Sequence, residues 1–350
     1  MTDTELVSRV IGVFDSGAVE MRGLTRGGRL LLGLPKDRLA AGKALRLYQP
    51  QRGMARLIAG MLGLGTRTGL HTYLLRRIRV GGAAVAVDPC LAGIARGTCG
   101  MLLGSPEHKV RRAIASYRMG GSWEVAKISF GEAGAKGLEQ EARTLDEIRQ
   151  HAEGVPRLLG FHRGGSLTVL RMPYLTGGPV EAGESEEAIS LLDRWCSKQP
   201  LKPITEFPEW PAAATALSAT GAGEGMLRRL SQELLRPVVC HGDFARWNLL
   251  RQEDGKLVAL DWEWGHLAGM PGIDLVHYFL QDVRLVSRLQ PADAIAKIRV
   301  ILASPACRSY LAQTGWSGEP LLPVIACLAY KQGAGHQENR EVLAAALAAL

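Results

Sequence analysis

The sequence predicts an α+β protein in which a small antiparallel sheet is followed by a larger, mainly helical part. Between residues 98 and 175, short apolar runs alternate with glycine-containing turns, which is the pattern of strands joined by tight connections. From residue 176 to residue 350, apolar residues recur mostly at helical spacing. Residues 1–97 mix both patterns, and we interpret them as an N-terminal α/β extension. The predicted parts are therefore 1–97, 98–175 and 176–350.

Bulk composition places the chain among ordinary globular proteins. It has 350 residues, of which 47% are hydrophobic and 22% are charged. The six cysteines form no Cys-x-x-Cys pair, so we expect reduced thiols. The first residues carry acids and lack an apolar signal-peptide core, and the longer apolar stretches are broken by charges. These features predict a cytoplasmic chain without a transmembrane segment.

The positive charge is concentrated at the N-terminus. Residues 1–80 hold 14 Lys and Arg against 5 Asp and Glu, whereas the whole chain has a net charge of +8. Such a segment can contact phosphate, nucleic acid or an anionic membrane surface, but a solvated arginine-rich face is the favoured explanation. No nucleic-acid motif or aromatic interleaving accompanies the charge, so no nucleic-acid partner is expected. A peripheral contact of residues 1–80 with an anionic surface stays open.

The extension and the sheet are predicted from local patterns. In the extension, "GGRLLLGLPKD" predicts a strand, "PKDRLAAGKALRLY" and "PQRGMARLIAGMLG" predict helices, and "YLLRRIRVGGAAVAVDPC" predicts two strands around a Gly-Gly turn. Three further strands are expected at about 99–103, 109–117 and 122–129, and a hairpin from "VPRLLGFHR" and "SLTVLRMPYL". Between them lies an amphipathic helix whose apolar face is formed by Leu138, Ala142, Leu145 and Ile148. "TGGPV" at 176–180 is interpreted as a flexible connector.

Polar residues interrupt the apolar run "VVCHGDFARWNLL" at 238–250. His241, Asp243 and Asn248 lie in it, and Asp261 ends the strand "KLVAL", which we expect to pair with the strand leading into the motif. Asn248 and Asp261 together suit Mg²⁺ bound jointly with substrate phosphates. Asp243 beside them could accept a proton, which is the arrangement of phosphoryl transfer. A buried loop with an Asx turn and a capping Asp is the alternative interpretation.

A lysine on a predicted strand supports the phosphoryl-transfer interpretation. Lys127 lies in "WEVAKIS", flanked by apolar residues, and a buried Lys is costly unless it is paired with an anion. Glu141 borders the apolar face of the following helix and is the expected partner, although Glu139 is not excluded. A solvent-reaching Lys at a sheet edge is the alternative. Gly104 and Ser105, in the turn "GSPEH", could cover phosphates, but a turn glycine needs no ligand.

The order of these features resembles the aminoglycoside phosphotransferase and choline kinase family, relatives of the protein kinases. "HGDFARWNLL" matches its catalytic loop, "LDWEWG" its metal-binding segment, and "GMPGIDLVHYF" the segment that often follows. The resemblance covers roughly residues 98–350 and implies a bilobal, protein-kinase-like fold. It also implies a catalytic base at Asp243, with Mg²⁺ bound by Asn248 and Asp261. The N-terminal extension is not part of the family pattern.

The resemblance implies further roles. Lys127 would contact nucleotide phosphates and Glu141 would orient it, while "RMPYL" at 171–175, with Met172 and Tyr174, would form the hinge that touches adenine. His241, which belongs to the catalytic loop, would support that loop, as would Asp274. Arg246 stands in a zone where many members carry Pro or His-Pro. It could contact the γ-phosphate or an anionic substrate, or point outward.

These observations predict a function and leave an alternative. The predicted function is a Mg²⁺-dependent phosphotransferase that moves the γ-phosphoryl of ATP or GTP to a hydroxyl of a sugar, amino alcohol or aminoglycoside. Acids between residues 181 and 187 would suit a cationic acceptor, but acids at a helix start also stabilise the helix. The alternative is a catalytically silent binding or regulatory module in a glycan-assembly pathway. The simultaneous presence of Lys127, Asp243, Asn248 and Asp261 argues against it.

Overall fold

The fold consists of two compact units. A computed structural model describes residues 3–14, 19–26, 29–50, 53–80, 98–104, 112–181, 183–221, 223–316 and 318–350. The first unit comprises Met1–Arg143 with Arg157–Leu175, and the second comprises Thr144–Pro156 with Thr176–Leu350. None of the helices in these described ranges is both long and apolar enough to cross a membrane.

The first unit is built on one eight-stranded antiparallel sheet. Its strands are β1 (Val19–Arg26), β2 (Arg29–Leu34), β3 (Arg76–Val80), β4 (Gly100–Leu103), β5 (Arg112–Met119), β6 (Ser122–Phe130), β7 (Gly160–Gly164) and β8 (Leu167–Pro173). They lie in the order β3-β1-β2-β4-β5-β6-β8-β7. The helices are α1 (Asp3–Phe14), α2 (Arg38–Arg46), α3 (Gly53–Thr68), α4 (His71–Leu74) and α5 (Glu132–Ile148), the last of which continues into the second unit.

Glycines fix the central hairpin of the sheet. Met119 pairs with Ser122, so Gly120 and Gly121 alone connect β5 to β6. Both have positive φ, 54° and 90°, which is what a tight two-residue turn between twisted strands requires. The "MGG" turn expected from the sequence therefore sets the register that places Lys127 on β6 opposite Ile114 and Leu170.

Strands of the predicted extension continue the sheet of the predicted nucleotide-binding part. In β2, Leu32 pairs with Leu102 of β4, and Gly33 pairs with Met101. The segment "GGRLLLGLPKD" forms β2, and the two predicted helices correspond to α2 and α3. The second strand expected after the Gly-Gly turn at 81–82 lies outside the described residues. The three-part domain division stays a prediction.

The two sides of the sheet are covered by N-terminal helices. Buried residues of α1 join one apolar cluster with the sheet: Leu6, Val7, Val10 and Ile11. Residues of α2 form a second cluster with Leu32 and Leu34, namely Ala41, Ala44 and Leu45. This burial of apolar side chains gives the first unit its core.

Helix α3 carries an apolar stripe that the described residues leave exposed. Met54 is 71% exposed, Leu57 60%, Met61 68% and Leu64 64%. Their spacing of three or four residues places them on one side of the helix, which we call the outer face of α3. Leu62 instead packs against the second apolar cluster. A surface this apolar commonly marks a contact with another surface.

The second unit is mainly helical. Its helices are α6 (Ser185–Arg194), α7 (Trp210–Ser218), α8 (Gly223–Leu230), α9 (Ile273–Gln281), α10 (Pro291–Leu302), α11 (Pro305–Gln313), α12 (Leu321–Gly333) and α13 (Arg340–Ala348). Its strands are short: β9 (Gly178–Pro179), β10 (Lys202–Pro203), β11 (Leu234–Leu235), β12 (Val238–Cys240), β13 (Leu249–Arg251), β14 (Leu257–Ala259) and β15 (His266–Gly269). Helix α12 is buried along most of its length and packs against α7, α9 and α13. The predicted α+β class, with a sheet part and a larger helical part, is confirmed.

One predicted strand pairing is wrong. The "KLVAL" strand, β14, pairs with β13, which follows the polar motif, whereas β12, which leads into the motif, pairs with β15. The polar loop at residues 241–248 thus connects two separate small sheets, one formed by β12 and β15 and the other by β14, β13 and β9. Strand β13 also pairs with β9, so part of the predicted connector at 176–180 is a strand.

Candidate active site

Lys127 and Glu141 form a buried ion pair in the first unit. Lys127 Nζ lies 2.6 Å from Glu141 Oε1 and 2.8 Å from Oε2, and the side chains are 10% and 0% exposed. Glu141 lies on the buried side of α5, between Leu138 and Leu145. Glu139, the other candidate, instead pairs with Arg143 and Arg163 near the surface. The pair presents a fixed ammonium group on the sheet, as a phosphate contact requires.

The predicted phosphate-covering turn is described only in part. Gly104 directly follows β4 and donates its N–H to the carbonyl of Arg112 at 2.8 Å. A Cβ at Gly104 would lie 3.1 Å from that same carbonyl oxygen, so the hairpin itself favours glycine there. Ser105 lies outside the described residues.

The predicted hinge contacts helix α2 of its own unit. Met172 is buried in β8 opposite Val125. The Tyr174 hydroxyl donates to the Lys43 carbonyl at 3.0 Å, and the Lys43 ammonium lies 4.3 Å from the Tyr174 ring centroid. Burial raises the pKa of Tyr174 to about 12, opposed by the charge of Arg46, so the hydroxyl remains a donor. The Tyr174 side chain is therefore engaged by α2, a contact that the sequence did not indicate.

The catalytic-loop motif folds around Asp243. Its side-chain and main-chain oxygens are both bound by Asn248, whose Nδ2 donates to Asp243 O at 2.8 Å and to Oδ2 at 3.0 Å. Because both bonds use the amide nitrogen, the Asn248 amide oxygen is the atom that could bind a cation. Asn248 follows Asp243 by five residues, and a single 3-10 turn, Arg246–Asn248, brings the two side chains together.

His277 holds the other carboxylate oxygen of Asp243. His277 Nε2 lies 2.8 Å from Asp243 Oδ1, on α9. Burial alone would raise the pKa of Asp243, but the hydrogen bond from His277, with the nearby His241 and Lys331, lowers it below its ordinary value. Burial lowers the pKa of His277, so we describe His277 as a neutral donor to an ionised Asp243. The carboxylate is thus oriented at both oxygens.

Asp274 and His241 fix the backbone where the motif begins. Asp274 is buried and accepts the N–H groups of His241 at 2.6 Å and of Gly242 at 2.9 Å. His241 Nε2 contacts the Leu260 carbonyl at 2.8 Å, so this nitrogen carries the proton, and Nδ1 accepts the N–H of Asp243 at 3.3 Å. Burial lowers the pKa of His241, in keeping with this neutral form. Both side chains position the loop.

Asp261 lies beside the loop with an unusual backbone. Its φ is 68°, and in the described part of the chain only one other non-glycine residue, Arg288, has a positive φ. Leu260, next to it, donates its N–H to the Asn248 carbonyl at 2.7 Å and accepts from His241. These two bonds hold Asp261 against the catalytic loop. Such backbone geometry at a polar residue is typical of functional sites.

Arg246 does not point outward. It is 4% exposed, and its Nη2 lies 2.8 Å from Asp282 Oδ1, just after α9. The outward alternative from the sequence is therefore wrong, because the guanidinium is buried beside an acid. To contact an anionic substrate group, Arg246 would have to leave this pair.

Two residues of the loop environment were not predicted from the sequence. His277 binds Asp243, and Lys331, buried on α12, donates its Nζ to the Gly242 carbonyl. A signal existed for each. His277 follows Asp274 by three residues on the same helix, and Lys331 is a lone cation at the end of the apolar run of α12.

The chain resembles several solved phosphotransferase structures. An aminoglycoside phosphotransferase from Streptomyces rimosus is 16% identical, with 67% of this chain and 91% of that one covered and a TM-score of 0.42. The choline kinase from Streptococcus pneumoniae is 15% identical, with 75% of this chain and 96% of that one covered and a TM-score of 0.45. A thermostable mutant of an aminoglycoside phosphotransferase, in ternary complex with AMP-PNP and hygromycin B, is 13% identical. The match covers 73% of this chain and 92% of that one, with a TM-score of 0.42. At these TM-scores the likeness carries no conclusion about the site.

Sequence comparison identifies the family. No curated protein matches the chain significantly. The family model described as "Phosphotransferase enzyme family" matches residues 117–299, which is more than half of the chain and includes both the Lys127–Glu141 pair and the loop around Asp243. The predicted family and the predicted enzyme class are thereby confirmed, and the chain belongs to the phosphotransferase enzyme family.

Proposed function

We propose that this phosphotransferase uses Mg²⁺ and transfers the γ-phosphoryl group of ATP or GTP to a hydroxyl of a small molecule. Sugars, amino alcohols and aminoglycosides are the acceptor classes in question. The observation that carries the proposal is Asp243, an ionised carboxylate held at one oxygen by His277 and at the other by Asn248.

Asp243 is proposed as the base. Its lowered pKa keeps it ionised at neutral pH, so it can accept a hydrogen bond from the acceptor hydroxyl. As the hydroxyl oxygen bonds to phosphorus, its proton passes to Asp243 and the bond from phosphorus to the leaving nucleotide oxygen breaks. His277 and Asn248 would hold the carboxylate in position during this step.

Asn248 and Asp261 are proposed to hold the metal. An amide oxygen and a carboxylate are the hard oxygen ligands that Mg²⁺ prefers, and Asn248 uses only its nitrogen in its bonds to Asp243. When bound, Mg²⁺ would neutralise charge on the phosphate oxygens. Lys127, oriented by Glu141, is proposed to contact nucleotide phosphates, and the hinge at 171–175 to contact the base.

The charges near the predicted acceptor region favour no cationic acceptor. Glu184 Oε2 lies 3.1 Å from Arg251 Nη2, and Glu187 Oε1 lies 3.6 Å from the same atom. Glu187 also lies in the first turn of α6, where acids stabilise a helix. The acids between 181 and 187 are thus partly neutralised by Arg251. The acceptor class stays open.

Two variants test the proposed chemistry. Asp243→Asn should reduce turnover by about 10³-fold or more while leaving nucleotide affinity nearly unchanged. Asp254→Asn is the matched control, because Asp254 lies in the exposed turn before β14, where it pairs with Lys256. Calorimetric titration of ATP and GTP, with and without Mg²⁺, into wild type and Asp261→Ala tests the nucleotide and metal site. Wild type that binds neither nucleotide would favour the silent binding module, and unchanged turnover in Asp243→Asn would remove this residue from the mechanism.

A contact of residues 1–80 with an anionic membrane surface is a second proposal. The outer face of α3 exposes Met54, Leu57, Met61 and Leu64, within a segment that carries 14 basic residues. An apolar stripe beside basic side chains is the pattern of helices that lie in a lipid interface. The variant Leu57→Glu/Met61→Glu should lose co-sedimentation with vesicles rich in anionic lipid. Binding of wild type that neither this variant nor raised salt weakens would contradict the proposal.

A further inference from the structure

Three side chains of metal-binding types converge in the second unit, none of them belonging to the Asn248 and Asp261 pair. They are Glu209, immediately before α7, Cys240 at the end of β12, and His266 at the start of β15. Cys240 and His266 face each other in the register of the two strands. One carboxylate oxygen, the thiol sulfur and one ring nitrogen all lie within 4.8 Å of one another.

The carboxylate of Glu209 is buried with one oxygen unused. Glu209 is 2% exposed, and its Oε1 lies 2.6 Å from His266 Nε2 and accepts the N–H of Met270 at 3.2 Å. Its Oε2 is buried and has no hydrogen-bond partner among the described residues. A buried carboxylate oxygen without a partner is unfavourable, so this oxygen is available to a cation.

Gly269 makes room for the three side chains. A Cβ at this position would lie 2.4 Å from Cys240 Cβ, 2.8 Å from His266 Nε2 and 3.0 Å from Glu209 Oε1. Gly269 has no positive φ that would call for glycine. The need for glycine here therefore comes from the cluster, which fills the space where any side chain would stand.

The ligand types select the class of cation. A thiolate, an imidazole and a carboxylate are a set that binds Zn²⁺ and related transition metals, whereas Mg²⁺ takes oxygen ligands. We propose that Glu209, Cys240 and His266 bind one divalent cation of the zinc class. The His266 side chain is 33% exposed, so the site opens to solvent on that side and a water molecule can complete four ligands.

Binding requires small movements and releases protons. In a tetrahedral site the ligand atoms stand about 3.3–3.8 Å apart, so the 2.6 Å contact between Glu209 and His266 must lengthen and Cys240 must approach. The thiol proton of Cys240 and the proton between His266 and Glu209 leave to solvent as the metal enters. No redox change accompanies the step.

The proposed metal site lies next to the start of the catalytic loop. Cys240 directly precedes His241, and the metal would join β12 to β15 and to the start of α7. Occupancy should therefore stabilise the second unit against unfolding, since a ligand that binds only the folded state adds to its stability. Its three proposed ligands are different residues from those of the proposed Mg²⁺ site.

Cobalt binding tests the proposal without an activity assay. The full chain, freed of metal with a chelator, is titrated with Co²⁺, and thiolate-to-cobalt charge-transfer absorption is recorded. We expect this absorption in wild type, its loss in Cys240→Ser and its displacement by Zn²⁺. Cys307→Ser, which removes another buried thiol on α11, is the matched control and should behave as wild type.

A second variant keeps the test decisive if Cys240→Ser does not fold. His266→Asn changes a partly exposed side chain, so we expect it to fold, and it should weaken Co²⁺ binding by at least about tenfold. Circular dichroism verifies folding of each variant. Absence of the charge-transfer absorption in wild type, its persistence in folded Cys240→Ser, or unchanged Co²⁺ affinity in His266→Asn would each overturn the proposal.

Discussion

Removing the ammonium group of Lys127 should destabilise the chain in a strongly pH-dependent way. In Lys127→Met the carboxylate of Glu141, which is 0% exposed, loses the partner that lies 2.6 Å away. It must then remain a buried charge without the lysine or take up a proton. For a carboxyl group with an ordinary pKa of about 4.3, protonation at pH 7 costs about 3.7 kcal/mol, which sets an upper limit. We expect a loss of about 3–3.7 kcal/mol, in the range for broken buried pairs.

The sign of the pH dependence follows from the buried carboxyl. In the variant, the folded chain holds the proton of Glu141 more tightly than the unfolded chain. Its stability relative to wild type therefore improves as pH falls toward about 4.3 and worsens as pH rises. At pH 5 the protonation cost is only about 1 kcal/mol, so the difference between variant and wild type should shrink by about 2.7 kcal/mol.

Urea unfolding at pH 7 and pH 5 measures both quantities. Arg143→Met is the matched control, because Arg143 pairs with Glu139 on the same helix but is 65% exposed, and it should change stability by less than about 0.5 kcal/mol at both values. The double variant Lys127→Met/Glu141→Met should recover most of the stability. A loss below about 1 kcal/mol at pH 7, or a loss that does not shrink at pH 5, would refute the reasoning.

Three further predictions concern the catalytic loop. Asp274→Ala leaves two buried N–H groups without their acceptor and should cost about 2–6 kcal/mol in urea unfolding, together with a fall in turnover; normal stability would contradict the assigned hydrogen bonds. Gly242→Ala should cost about 2 kcal/mol or more, because φ is 80° and the new Cβ would lie 2.7 Å from Trp264 Cβ; a melting temperature equal to wild type would refute this. His277→Gln should reduce the loss of unfolding free energy that occurs as pH falls. The pKa of His277 is lowered by burial in the folded chain, so wild type loses stability as pH falls below about 6.5, and an equal slope between pH 7.5 and 5 in both proteins would contradict this.

The parts that could be predicted from the sequence depend on local spacing. The lysine on the strand and the acid on the buried side of the next helix are only 14 residues apart, so the partners Lys127 and Glu141 could be named in advance. The spacing from Asp243 to Asn248 likewise belongs to one turn of chain, and that turn brings the two side chains into contact. Their chemical roles stay predictions.

The remainder depends on contacts between distant residues. His277 binds Asp243 across 34 positions, and Lys331 reaches Gly242 across 89, and no periodicity specifies such pairs. The wrong partner for the "KLVAL" strand has the same origin. A three-residue strand carries too little pattern to choose between two neighbours, so the tertiary fold decides.

The pairing of β2 with β4 has a practical consequence for shortened forms of the protein. A chain beginning at residue 98 would start with β4 as an edge strand, because Leu32 and Gly33 supply the present partners of Leu102 and Met101. Its backbone groups would lack partners, and the apolar side chains now covered by α1 and α2 would face water. Unprotected edges of this kind promote pairing between molecules. The N-terminal residues thus prevent self-association of the sheet. Removal of residues 1–97 should yield aggregates and not a shorter active enzyme.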